Sequence, residues 1–394
     1  MNQTPNAERI HIGIFGKRNA GKSSLINALA GQDVSVVSDT AGTTTDPVKR
    51  AMELLPLGPV VLIDTPGLDD EGALGELRVE RTKRVLHSVD IALVVKESGM
   101  PLDAVESALI DDLKKREIPF ILVENKNDLK QDEKYVSNID CNKIAVSAKT
   151  NKNIHELKEM MARMLPEVLT DKPLVRDLIK PLDVVVLVTP IDEAAPKGRL
   201  ILPQQMVLRE ILDCHGIAMV VQDTELPETL RTISKKPALV ITDSQAFAQV
   251  SKIVPEDVLL TSFSILMARK KGNLHQVVEG AFALDTLKDG DKVLISEGCT
   301  HHRQCNDIGT VKLPSWIRKH TGKELEFCYT SGTDFPESLS EYALIVHCGG
   351  CMLNDKEIAN RQKNAALCGV PMTNYGTAIA HMNGILNRSL KIFS

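Results

Sequence analysis

The segment Gly16-Lys17-Arg18-Asn19-Ala20-Gly21-Lys22-Ser23 limits what the rest of the chain can be. It follows a short apolar run, Ile10 to Phe15, and leads into a helical pattern, Ser24-Leu25-Ile26-Asn27-Ala28-Leu29. A G-x-x-x-x-G-K-S loop between a strand and a helix is a phosphate cradle. Gly16 and Gly21 let the backbone fold into a nest whose N–H groups, through Asn19, Ala20 and Ser24, converge on phosphate oxygens. The helix N-terminus adds positive potential. Lys22 then neutralises β- and γ-phosphate charge, and the Ser23 hydroxyl ligates Mg²⁺.

Four further segments follow in order, each tied to a strand end. The polar stretch Ser38 to Pro47 occupies the place of a nucleotide-sensing switch, with Thr44 expected to complete the Mg²⁺ shell. Val60-Val61-Leu62-Ile63 reads as a buried parallel strand ending in Asp64-Thr65-Pro66-Gly67. Asp64 would hold a Mg²⁺-bound water, and the Gly67 N–H would sense the γ-phosphate. Leu68 stands where many small GTPases place a water-orienting glutamine, which predicts slow turnover. The strand Phe120 to Val123 delivers Asn125-Lys126-Asn127-Asp128. Asp128 can accept from the guanine N1–H and 2-amino group, a pair adenine lacks, so the expected nucleotide is GTP. The Lys126 stem covers the base and Asn125 ties the loops together. Last, Ile144-Ala145-Val146 leads into Ser147-Ala148-Lys149, whose backbone can reach guanine O6. Residues 1–167 are therefore expected to form a GTP-binding domain.

A chain of 394 residues has room for two or three domains. The net charge of −5 and an aromatic content of 3% leave neither a basic footprint nor stacking surfaces for nucleic acid. No apolar run approaches the roughly 20 residues of a membrane span, and the N-terminal residues lack the look of a signal peptide. The expectation is a cytoplasmic protein without membrane or nucleic-acid partners. Residues 168–265 alternate strand-like runs at Val184, Ala218 and Ala238 with helical patterns, after a linker marked by Lys172-Pro173 and Lys180-Pro181. Asp192, Glu193, Lys197 and Arg199 are expected in a solvated loop. This middle domain has a core and no chemistry, and is expected to mediate homodimerisation. The fold class is thus α/β: a P-loop GTPase domain followed by two smaller α/β domains with parallel sheets.

Six of the eight cysteines lie in residues 266–394. One strand, Lys292 to Ile295, runs into Glu297-Gly298-Cys299-Thr300-His301-His302; another, Tyr342 to Val346, runs into His347-Cys348-Gly349-Gly350-Cys351. Both clusters follow strand ends, so loops at one sheet edge can bring them together. Three thiolates with imidazoles suit Zn²⁺ or an iron–sulfur cluster, and spacing does not separate the two.

With Asp-Thr-Pro-Gly and Ser-Ala-Lys in place, the first domain resembles the GTPase class that includes Era, Der and TrmE. In its potassium-activated members an Asn three residues after the first loop glycine ligates K⁺; here that residue is Asn19. Thr45 stands where the usual relative has an Arg. This G domain joined to Cys-x-His and His-Cys-x-x-Cys resembles the maturation GTPases of [FeFe]-hydrogenases, the HydF family. That resemblance implies a [4Fe–4S] cluster on Cys299, Cys348 and Cys351, with His301 and His347 near or on the fourth position. It further implies a scaffold that receives a transient di-iron precursor assembled with two radical-SAM enzymes and delivers it to apo-[FeFe]-hydrogenase, GTP hydrolysis modulating partner exchange. Cys305, Cys328 and Cys368 fall outside the matched pattern and are expected to be structural. A zinc-stabilised GTPase acting on RNA or ribosomes is the alternative, opposed by charge and aromatic content. A thiol enzyme using Cys348 or Cys351 would lack catalytic partners beyond His347.

Overall fold

A computed structural model describes residues 4–31, 48–67, 82, 84–129, 141–168, 172–191, 200–298, 307–336 and 338–393. The chain divides into two compact units, Met1–Asp171 and Lys172–Ser394. Thr44, Leu68, Cys299, His301 and Cys305, and the acidic–basic stretch from Asp192 to Arg199, lie outside the described residues.

In the first unit, β1 (Ile10–Phe15), β2 (Val48–Leu54), β3 (Gly58–Asp64), β4 (Ile91–Glu97), β5 (Phe120–Asn125) and β6 (Asn142–Ala145) form one sheet in the order β2-β3-β1-β4-β5-β6. All pairings are parallel except β2 with β3. Every residue of β1 is buried, as befits a strand covered on both faces. Ile12 and Ile14 pack with Leu25, Ile26 and Leu29 of the helix Lys22–Ala30. Phe15 turns the other way, into a second cluster with Leu109, Ile110 and Leu113 of the helix Ala104–Lys115. The sheet order places β3 and β4 on opposite sides of β1. Their connections diverge there and open a crevice at the strands' C-terminal ends, where ligands of such sheets bind.

The second unit holds two four-stranded parallel sheets. One is β7 (Val184–Val188), β8 (Ile217–Val221), β9 (Leu239–Thr242) and β10 (Leu259–Ser262), ordered β10-β9-β7-β8. The other is β11 (Lys292–Glu297), β12 (Glu326–Ser331), β13 (Leu344–His347) and β14 (Met372–Asn374), ordered β12-β11-β13-β14. The helix Tyr375–Met382 serves both cores: Tyr375, Ala378 and Ile379 pack beneath β11 and β13, while Ala380 joins the cluster under β7 and β9. Its close approach to the helix Phe263–Lys271 needs Gly376, where a Cβ would lie 2.4 Å from Ser264 Cβ. Asn374 caps it, accepting from the Thr377 N–H at 2.8 Å, a contact worth about 1 kcal/mol. A boundary at residue 265 would fall inside the helix Phe263–Lys271. Among the described residues no helix is long and apolar enough to cross a membrane.

Candidate functional site

The loop after β1 is shaped by positions only glycine fills well. Gly16 has φ +147°, and a Cβ there would sit 2.1 Å from the Val95 carbonyl oxygen. Gly21, at φ +88°, starts the helix Lys22–Ala30, and its Cβ would meet Asn125 Nδ2 at 2.3 Å. Asn19 also adopts the left-handed region, at φ +62°. Lys22 is buried and curls back over the loop, donating from Nζ to the carbonyls of Gly16 (2.9 Å) and Lys17 (2.8 Å). The loop is tethered by an ion pair between Lys17 and Asp103, the N-cap of the helix Ala104–Lys115. Ser23 Oγ donates to Asp64 Oδ2 at 2.9 Å, so the hydroxyl and carboxylate expected to flank Mg²⁺ already face each other. Thr65, beside Asp64, locks the end of β3 to β1 by donating to the Ile14 carbonyl at 2.7 Å. Gly67 follows two residues after Thr65, half-buried.

The base-side residues are joined to this loop by one side chain. Asn125, buried at the end of β5, donates from Nδ2 to Ala20 O (3.1 Å) and Gly21 O (3.4 Å), and accepts at Oδ1 from Ala148 N–H (3.1 Å). Three separate loops are thereby held in register. Lys126 has φ +62° and pairs with Glu97 at 2.8 Å. The Ser147 hydroxyl, fully buried, donates to Asp128 Oδ1 at 2.6 Å and accepts from Thr150 N–H at 3.2 Å. That hydrogen bond holds the Asp128 carboxyl below the ordinary aspartate value, so it is ionised at neutral pH and one oxygen remains for a base. Lys149 lies on the turn after Ser147 and adds a favourable charge to Asp128.

In the second unit the thiols emerge at the C-terminal edge of the β12-β11-β13-β14 sheet. Ser296 of β11 lies opposite His347 of β13. Cys348 Sγ accepts hydrogen bonds from the Gly298 N–H (3.0 Å) and the Gly350 N–H (3.4 Å). The residue before Cys299 is thus already against Cys348. Gly350 turns the chain at φ +63° to bring Cys351 back toward it. Burial pushes the Cys348 thiol up to about 11, the two amides working against that shift and Cys351 and Glu297 adding to it. Burial also raises Cys351. His347 is buried with both ring nitrogens engaged. Arg361 Nη1 lies 3.0 Å from its Nε2, and Nδ1 lies 2.7 Å from the Cys348 carbonyl oxygen. A guanidinium only donates, so Nε2 accepts and Nδ1 carries the hydrogen. Burial, and then the Arg361 charge, press the His347 pKa down to about 3. Cys328 lies half-buried on β12 beside Leu294, and Cys368 is exposed at a helix end.

Sequence reasoning missed the polar frame around these thiols. Arg361 also donates to Glu357 Oε1 (2.9 Å), Gly332 O (3.0 Å) and Ser296 Oγ (3.4 Å), and lies 4.9 Å over the Phe335 ring. Lys271, 1% exposed, donates to Leu353 O at 2.6 Å and lowers the Cys351 pKa against the effect of burial. A signal existed for Arg361. It falls between Ile358 and Ala365 at helical spacing, on a stripe that a core pattern gives to apolar residues.

Residues 174–272 match the family described as the hydrogen maturase F (HydF) dimerization domain, and residues 275–392 match its tetramerization domain. Residues 11–126 match a third family, the 50S ribosome-binding GTPases. The chain belongs to the HydF family. Its G domain is also similar to GTPase Der of Wolinella succinogenes, 35% identical over 170 residues that are 39% of this chain and 36% of that protein. MnmE, the tRNA modification GTPase of Chromobacterium violaceum, is 34% identical over 160 residues, 40% and 35% of the two chains. Era of Thermoanaerobacter sp. (strain X514) is 32% identical over 165 residues, 40% of this chain and 54% of that one. The chain thus spans roughly a third to a half of these curated relatives' length. Among solved structures, the G domain of the Thermotoga maritima iron transporter FeoB is similar over 40% of this chain and 99% of its own, at 21% identity and a TM-score of 0.31. The two HydF matches, over residues 174–272 and 275–392, favour this family over the RNA-acting alternative.

Proposed function

We propose that this chain is a GTP-hydrolysing scaffold that holds a [4Fe–4S] cluster and passes a di-iron precursor to apo-[FeFe]-hydrogenase. What supports the reading is a phosphate-loop pocket in one chain with two HydF domains, the second carrying a thiol cradled by backbone amides. The donor set fits the cluster: amide hydrogen bonds to sulfur are among the features that tune such centres, and glycine-rich turns admit a bulky inorganic group. Cys299, Cys348 and Cys351 would be the ligands, and three-cysteine ligation leaves one iron with an exchangeable position. His347 supports the Cys348 backbone instead of offering a ring nitrogen, while His301 stays a candidate neighbour of that position.

On the nucleotide side, the loop residues bind the phosphates, Ser23, Asp64 and Thr44 hold Mg²⁺, and Gly67 senses the γ-phosphate. Leu68 at the glutamine position makes hydrolysis slow, with K⁺ beside Asn19 as extra positive charge. GTP then times the exchange of partners, two radical-SAM enzymes and the apo-hydrogenase, on a cytoplasmic homo-oligomer built through the two named domains.

Anaerobically purified protein is expected to be brown, with iron and acid-labile sulfide, and Cys348→Ala/Cys351→Ala to lose both. A colourless protein with stoichiometric zinc overturns the cluster assignment. GTPase rates in KCl against NaCl check the potassium. Asp128→Asn replaces an acceptor by an amide donor and should weaken GTP about a hundredfold while admitting xanthosine triphosphate. Competition against a fluorescent GDP reads this out. Unchanged GTP preference would mean that Asp128 does not touch the base.

A further inference from the structure

At the opposite edge of the β12-β11-β13-β14 sheet, three side chains from three helical segments converge. Asp285 comes from the turn Ala283–Thr286 that precedes β11. His320 comes from the last turn of the helix Leu313–Thr321, and His381 from the last turn of Tyr375–Met382. His320 Nε2 lies 2.8 Å from Asp285 Oδ1, and His381 Nε2 lies 2.9 Å from Asp285 Oδ2. One atom from each residue falls within 4.8 Å of the other two. Both imidazoles present the same nitrogen to the same carboxylate, and their rings stand edge to face with centroids 5.6 Å apart. Phe282 backs the His381 ring at 4.9 Å, limiting its rotation.

We propose that Asp285, His320 and His381 form a binding site for a divalent transition cation of the Zn²⁺, Co²⁺, Ni²⁺ and Cu²⁺ class. Two borderline imidazole nitrogens beside one carboxylate oxygen suit these ions, whereas Ca²⁺ and Mg²⁺ take all-oxygen shells. Tetrahedral ligation at 2.0–2.1 Å spaces donor atoms by about 3.3 Å, within reach of side-chain rotation from the present separations. When a metal takes the Nε2 lone pair, the hydrogen that Nε2 shares with Asp285 is released to solvent and Nδ1 carries the ring's N–H, with no change of oxidation state. The Asp285 side chain is 53% exposed, which leaves the remaining coordination positions to water and makes the ion exchangeable. The site shares no residue with the thiols. Strands β11 and β13 begin at this edge and end at theirs, so the two differ in place as well as in ligand chemistry.

The sole tryptophan, Trp316, lies one helical turn before His320 and is a built-in reporter, since Cu²⁺ quenches nearby indole emission. The test uses the untagged 394-residue chain with Cys299, Cys348 and Cys351 changed to Ser, removing the thiolates of the proposed cluster site. Cu²⁺ titration should quench Trp316 with saturation at one equivalent, EDTA should reverse it, and prior loading with excess Zn²⁺ should shift the midpoint to higher Cu²⁺. His320→Gln, His381→Gln and Asp285→Asn should each weaken the effect at least about tenfold. Should the triple-serine chain fold poorly, Co²⁺ absorption of the unaltered chain separates the sites, because nitrogen–oxygen ligation lacks thiolate charge-transfer bands. Absence of saturable quenching, or equal midpoints for the parent and all three variants, would mean that the three side chains form only a hydrogen-bonded strut.

Discussion

Lys22→Ala is expected to lower single-turnover GTP hydrolysis by about 10²–10³-fold, the usual cost of removing one preorganised donor aimed at developing charge. The buried ammonium spans the loop it serves, hydrogen-bonded to Gly16 O and Lys17 O at 2.9 and 2.8 Å, so it is oriented before nucleotide arrives. An alanine leaves the two carbonyls without that donor but preserves what shapes the loop: Gly16 against Val95, Gly21 against Asn125, and the Lys17–Asp103 tether. The variant should therefore fold, and its unfolding curve should overlay that of the parent. Phosphate release measured with enzyme in excess of GTP is the deciding assay. A rate within a few-fold of the parent would mean that the loop does not act on the transferred phosphate.

The contacts that frame the phosphate loop, Thr44 and Leu68 aside, were legible in the sequence because their geometry is local. Each contributing residue sits within a few positions of a strand end, and the parallel sheet brings strand ends together without further instruction. Asn125 illustrates this: its place just past Phe120–Val123 was enough to expect a tie between loops, and the structure supplies its bonds to Ala20, Gly21 and Ala148. Strands were missed where the pattern is not that of a buried parallel strand. β2 reads Val-Lys-Arg-Ala-Met-Glu-Leu and lies antiparallel on an edge, and β12 is a half-exposed edge strand. β10 (Leu-Leu-Thr-Ser) and β14 (Met-Thr-Asn) are edge strands of 4 and 3 residues whose polar ends interrupt the apolar run. The surroundings of the thiols were the least legible. The resemblance implied His347 near or on the fourth cluster position, and nothing in it announced that Arg361, fourteen positions away, holds the ring. No periodicity encodes which buried cation meets which buried imidazole.

Arg361→Met is accordingly expected to destabilise the second unit by about 3–5 kcal/mol, the cost of breaking a buried ion pair from one side. The side chains of Arg361 and Glu357 are 2% and 8% exposed, so removing the guanidinium strands a carboxylate where water does not replace it. The same guanidinium bonds Ser296 of β11, His347 of β13, Gly332 after β12 and Glu357 of the helix Asp355–Leu367, joining four segments around the edge from which the thiols emerge. Trp316 is partly buried against this unit's core and is the only tryptophan, so denaturant unfolding followed by its fluorescence reads this unit alone. Replacing Glu357 as well, in Arg361→Met/Glu357→Met, should recover part of the loss, because apolar groups then fill both places and no charge is left buried. A purely steric role for Arg361 predicts the reverse order, with the double variant less stable than the single. If the single variant loses less than about 1 kcal/mol, the size of an exposed pair, the buried network does not hold this edge together. The expected outcome also explains why so costly a group is kept here. A methionine could fill the space, but only a planar multi-donor cation fixes the tautomer of His347. With it comes the hydrogen bond from Nδ1 to the Cys348 carbonyl, which sets the path of the turn carrying Cys348 and Cys351.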